Sequence, residues 1–188
     1  ERVGIVVCGR RTVYADSLLE YARGRHMASR VDFIYELSPD DLPALFRLAH
    51  AFVYLPDAGI EASIVPVVEA MRAGVPMVLS DTQLNREAAG DAAAYVRPEA
   101  AGEVAAALEN VLSDVNFRRE MKARERRRAE LFSEYAVARR LIDFLSGVAY
   151  AQDGKIRRVA SATYIITPFN VDLMGDQLDD MESGEFHL

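Results

Sequence analysis

Two carboxylates, Glu61 and Glu69, stand eight positions apart in "EASIVPVVEAMRAGVPMVLSD" (61–81), a stretch otherwise almost wholly apolar. Between them, Ser63, Ile64 and Val65 open a helical pattern, with Ser63 as the capping residue and Pro66 in the first turn. Proline costs little there, because first-turn amides have no intrahelical partner. The N–H groups of Ser63, Ile64 and Val65 would then face outwards at the positive end of a helix, which favours anions such as phosphate. Glu61 would lie in the loop beside that anion site and Glu69 about one turn below it. Periodicity alone allows a plainer account: Glu69 shares the polar face with Arg72 and could be a solvated partner of it, and Glu61 an ordinary loop acid. Arg10 and Arg11, after Gly9, could lend charge to a bound anion or be a solvated loop pair.

The surrounding elements decide whether these groups can converge. "VGIVVC" (3–8), "VDFIY" (31–35), "AFVYL" (51–55) and "VPMVLS" (75–80) read as short strands buried on both faces, with "AAAYV" (92–96) as a fifth. Helical patterns at 15–25, 40–50 and 63–73 alternate with them, which implies right-handed crossovers and a doubly wound parallel α/β sheet. Ligands bind such sheets at the carboxyl ends of the strands. Ser38-Pro39-Asp40-Asp41 carries a capping side chain and acids for a helix start. Gly74 suits a left-handed helix end, and Pro76 forbids continuation. From 99 to 149 the pattern is helical. Residues 150–188 differ: "SATYIITPF" (161–169) is strand-like, and the acidic remainder is expected to be disordered beyond about Asn170. The division expected is therefore 1–149 and a 150–188 tail.

Composition narrows the function. A net charge of −7 argues against a general nucleic-acid binder. The single cysteine, Cys8, excludes an internal disulfide, suits a reducing (cytoplasmic) compartment, and within "IVVCG" reads as a small core residue. His26, His50 and His187 have no metal-ligand spacing, and no Asp-x-Asp accompanies the helix start, so no metal is expected. The basic run "FRREMKARERRRAELF" has Glu120, Glu125 and Glu130 interspersed. It reads as a solvated helix with ion pairs, or as a peripheral contact with anionic lipid at the inner face of a membrane.

Taken as a linked set, Leu42-Pro43, the aromatic strand Ala51 to Leu55, Glu61 and Glu69, Gly74 to Met77, and Glu87 to Ala92 are far more specific than the glutamate pair. They resemble the carboxyl-terminal, donor-binding domain of retaining nucleotide-sugar glycosyltransferases of family 4, or glycosyl transferases group 1. These have two Rossmann-like domains, the GT-B fold. The resemblance covers about residues 1–145. It implies that Glu61 is catalytic and contacts the transferred sugar, that Glu69 binds the ribose, and that the amides of Ser63, Ile64 and Val65 hold the diphosphate of a nucleotide-sugar donor. Where the family commonly places Gly-Phe-Gly after the first glutamate, this chain has Ala62-Ser63-Ile64.

The resemblance further implies that a first strand, carrying an arginine and a lysine for the diphosphate, and an amino-terminal acceptor domain should precede Glu1. The full-length protein would be an enzyme and this stretch alone inactive. The missing strand would be central, between the counterparts of "GIVVC" and "AFVYL". We expect those two not to pair, and the gap of about 9.6 Å to be filled from upstream or by "ATYIITP". A non-catalytic nucleotide-sugar-binding or regulatory module is the alternative, and a flavodoxin-like module binding another phosphate ligand is a third.

Overall fold

The computed structural model describes residues 3–56, 63–160 and 163–171. They divide into two compact units, residues 1–129 and 130–188. In the first, strand and helix alternate as the periodicity predicts: β1 (Ile5–Cys8), α1 (Val13–Gly24), β2 (Val31–Ile34), α2 (Leu42–Leu48), β3 (Phe52–Tyr54), α3 (Val65–Ala73), β4 (Met77–Ser80), α4 (Gln83–Ala89), β5 (Ala94–Val96), then α5 (Ala101–Ser113) and α6 (Val115–Ala129). All ladders in this unit are parallel: β1 with β2, and β3-β4-β5 in that order.

The core gathers on β4, which has a strand on each side and is buried along its whole length. Val78 packs with Val96, Val111 and Met121, so α5 and α6 close one face of the three-stranded sheet. Met71 and Val67 are also sealed from solvent. Two local boundaries follow from residue type. Thr12 Oγ1 accepts from the Ala15 amide at 3.1 Å and starts α1. Gly74 ends α3 at φ 68° and ψ 40°, the left-handed geometry glycine adopts without a Cβ penalty.

Several expectations need correction. β1 is not buried on both faces: Ile5 and Val6 are 46% and 50% exposed, and Cys8 is exposed rather than a core residue. The physical reason is pairing, since among the described residues β1 has β2 on one edge and nothing on the other. β1 and β3 share no ladder, as expected, and the strand expected in the tail pairs instead within a separate two-stranded sheet. Ser38 does not cap α2; its Oγ accepts from the Asp40 amide at 3.3 Å in the preceding turn, and Asp41 occupies the cap position without a side-chain bond.

The second unit holds α7 (Glu134–Ala151), β6 (Lys155–Ala160) and β7 (Thr163–Thr167). Ser133 caps α7 by accepting from the Ala136 amide at 3.2 Å. The strand expected in the tail is thus one arm of an antiparallel hairpin, Lys155 opposite Thr167, with a bulge between Arg158 and Ala160. A hairpin partner only a few residues away is closed at far smaller entropic cost than a distant edge. Gly154 makes the turn into it: a Cβ there would lie 2.6 Å from the Thr167 carbonyl oxygen, and its own amide donates to Ala149 O at 2.7 Å. Because α7 packs on β6 and β7, the boundary lies at 129/130 and not at 149/150. The expected disorder beyond Asn170 concerns a segment that, from 172 on, lies outside the described residues.

Candidate functional site

The candidate site lies where β3 and β4 end and α3 begins. Loop residues 57–62, with Glu61, lie outside the described residues, but both of their flanks are anchored. Before them, the Pro56 carbonyl accepts from Ser80 Oγ at 2.8 Å. Ser80 is itself held by Asn85 of α4, whose Nδ2 donates to Ser80 O at 2.9 Å and to Ser80 Oγ at 3.0 Å. Both residues are fully buried, so this network is a fixed support of the strand ends. After them, the Tyr54 hydroxyl donates to the Ser63 carbonyl at 3.2 Å. α4 is fixed from behind by Arg128 of α6, whose guanidinium donates to Ala88 O at 2.9 Å and to Glu87 O, closing the helix end.

α3 begins one residue later than the capping pattern suggests. Ile64 takes the cap position, Val65 is the first helical residue, and Pro66 falls within the first turn. Ser63 Oγ still serves the helix start, but it does so by accepting from the Val65 amide at 3.2 Å. That corrects the anion cradle: the Val65 N–H is occupied, and Ser63 and Ile64 are the amides of the expected three with no partner among the described residues. The signal for this was the serine itself, a residue that competes for nearby backbone donors.

Glu69 sits on α3 one turn further on, half-buried. Its carboxylate makes no hydrogen bond or ion pair among the described residues, so the expected alternative of a pair with Arg72 is not realised. Arg10 and Arg11 lie on the loop after β1, both exposed. Arg11 Nε contacts Asp16 at 3.3 Å, with its guanidinium 6.0 Å from the Tyr35 ring centre. Neither arginine hydrogen-bonds to α3, and Arg11 behaves as the solvated loop residue of the plainer account.

The basic helix α6 is not solvated throughout. Arg118 donates to the Val111 carbonyl at 3.0 Å and to that of Leu112, capping α5, and Arg128 caps α4. Glu125, expected on an exposed face, is fully buried, and neither of its carboxylate oxygens has a hydrogen-bond partner among the described residues. Burial pushes it up to about 8, against the smaller opposing pull of Lys122 and Arg124. No spacing signal marks such a residue: in sequence it is one of several acids in a basic run.

Comparison with known proteins accounts for both units. The family profile for glycosyl transferases group 1 matches residues 1–128, more than half of the chain. The chain belongs to that family. The O-antigen chain mannosyltransferase RfbU of Salmonella typhimurium is 34% identical over 108 residues, 57% of this chain and 30% of that protein. Two solved structures share the GT-B fold at 19% identity. Sucrose-phosphate synthase from Thermosynechococcus elongatus has a TM-score of 0.63 over 78% of this chain and 38% of its own. The α,α-trehalose 6-phosphate synthase from Burkholderia multivorans has 0.64 over 81% and 36%. The fold is therefore α/β and Rossmann-like, half of a GT-B architecture, and the chain spans about a third of the length of these proteins.

The second unit has a different likeness, which sequence reasoning missed. The profile for cell division protein SepF matches residues 130–173. The SepF of Acetivibrio thermocellus is 51% identical over 45 residues, 24% of this chain and 29% of that protein. The match starts at the structural boundary, two residues after the glycosyltransferase match ends.

Proposed function

We propose that residues 1–129 bind the donor of a retaining glycosyl transfer, a nucleotide-diphosphate sugar. The observation that carries this is the pairing, on one helix start, of Ser63 and Ile64 amides with a half-buried Glu69 one turn below, none of them with a partner among the described residues. The amides and the helix dipole would hold the diphosphate, and Glu69 the ribose hydroxyls. Glu61, two residues ahead of the described Ser63, would act on the hydroxyls of the transferred sugar. Of the pair Arg10 and Arg11, Arg10 has no ion pair among the described residues and would be the one to approach the phosphates. The reading calls for a further parallel strand between β1 and β3, on the edges that have no ladder among the described residues, and for a second Rossmann-like domain to hold the acceptor.

Glu61 supplies the test, because it should serve the sugar and not the nucleotide. Glu61→Ala is expected to leave the affinity for a free nucleoside diphosphate nearly unchanged while weakening the corresponding nucleotide sugar, measured by calorimetric titration. Equal losses for both ligands would place Glu61 elsewhere. The same titration with a chelator present should give the same affinity, since dipole and amides, and no metal, neutralise the diphosphate. Loss of binding with the chelator would overturn that.

The second unit has a separate reading: its similarity to cell division protein SepF supports a role in cell division. A fluorescently tagged chain is expected to gather at the division site of a bacterial host and to spread evenly once residues 130–188 are removed. An even spread of the intact chain would count against it.

A further inference from the structure

The geometry points to Tyr54 as a positioning residue for the donor's diphosphate, an inference that rests on the nucleotide-sugar reading of the α3 start. Tyr54 is the last residue of β3, paired with Leu79. Its ring stacks on Phe52 with centres 6.1 Å apart and 12° between planes, and Phe52 in turn meets Phe46 of α2 edge-on at 5.2 Å. This row of rings fixes where the Tyr54 hydroxyl stands. From there it donates to the Ser63 carbonyl, nine positions along the chain.

The consequence follows from peptide geometry. The Ser63–Ile64 peptide is planar and trans, so its carbonyl and its N–H point in opposite directions. Holding Ser63 O therefore aims the Ile64 N–H away from the sheet end, while Ser63 Oγ holds the Val65 amide on the next peptide. Of the two amides left to cradle a diphosphate, Ser63 and Ile64, Ile64 is the one on the peptide that Tyr54 holds. A phenylalanine at 54 would preserve the ring row and lose only this constraint. Tyr54 touches no ligand in this account; it acts through the peptide it orients.

The experiment is calorimetric titration of the chain and its Tyr54→Phe variant with uridine, guanosine and adenosine diphosphates, and with the nucleoside of whichever binds the parent. The loss of one hydrogen bond worth about 0.5–1.5 kcal/mol corresponds to roughly a two- to twelvefold rise in the diphosphate Kd. The nucleoside Kd should stay as in the parent, and the thermal midpoint should fall by no more than a few degrees. Unchanged diphosphate affinity, or equal losses for diphosphate and nucleoside, would overturn the role of Tyr54 while leaving the donor site standing. A parent that binds none of the three diphosphates would overturn the nucleotide-sugar reading itself, and this inference with it.

Discussion

Glu69→Gln is expected to weaken nucleoside-diphosphate binding by about tenfold or more. Its carboxylate is half-buried on α3 with no partner among the described residues, so under the proposed reading it would meet a ribose diol without first breaking an internal contact. Each charge-assisted hydrogen bond contributes roughly 1.5–3 kcal/mol net, and about 1.4 kcal/mol is tenfold in affinity. Glutamine keeps the shape and one acceptor but loses the charge, and its amide places a donor where a second acceptor is wanted. Calorimetric titration of both proteins with the same nucleoside diphosphate measures the difference. Equal affinities would remove Glu69 from the donor site. The helix itself should tolerate the change, because the core face of α3 is carried by Val67, Ala70 and Met71.

The second large effect concerns stability and belongs to Glu125. Its folded-state pKa, about 8, lies well above the ordinary carboxyl value of 4.5. Below pH 4.5 the carboxyl is protonated in both states and costs little. As pH rises towards 8 the unfolded chain gains the ionised form while the folded chain must keep the proton, so stability falls across this window and levels off above it. Each tenfold between the two ionisation constants is worth about 1.4 kcal/mol, so the penalty at pH 8 is several kcal/mol. Glu125→Met, similar in length and apolar like its neighbour Met121, should remove the penalty. Thermal unfolding should show the variant well above the parent at pH 8, with the gap shrinking towards pH 5. A variant no more stable than the parent at pH 8 would mean that the carboxylate finds a partner when ionised.

Both effects begin on helices whose existence was legible in the sequence, yet only one of the two residues could be singled out there. Glu69 is readable because it stands at a fixed distance from Glu61 and from a helix start, and helix period places it on the polar face with Arg72. Glu125 is unreadable because the face of α6 that meets α3 is set by contact between elements far apart in the chain. The cradle shows the same limit within a few residues: the serine at 63 marks a helix start, but which amide it consumes depends on where the first turn begins.

Sequence by itself determined the alternation of strands and helices in residues 1–129, the glycine that closes α3, and the linked motif set that marks the glycosyl transferases group 1 family. These are local properties, carried by side-chain period, by φ preference and by residue type at fixed spacing. Only the tertiary structure decided the rest. It paired Thr163–Thr167 with Lys155–Ala160 and so placed the unit boundary at 129/130. It left β1 with a free edge and Cys8 in solvent. It buried Glu125, and it set the Tyr54 hydroxyl against the Ser63 carbonyl. Each of these depends on which distant segments meet, and an apolar run carries no mark of the partner it will be packed or paired against.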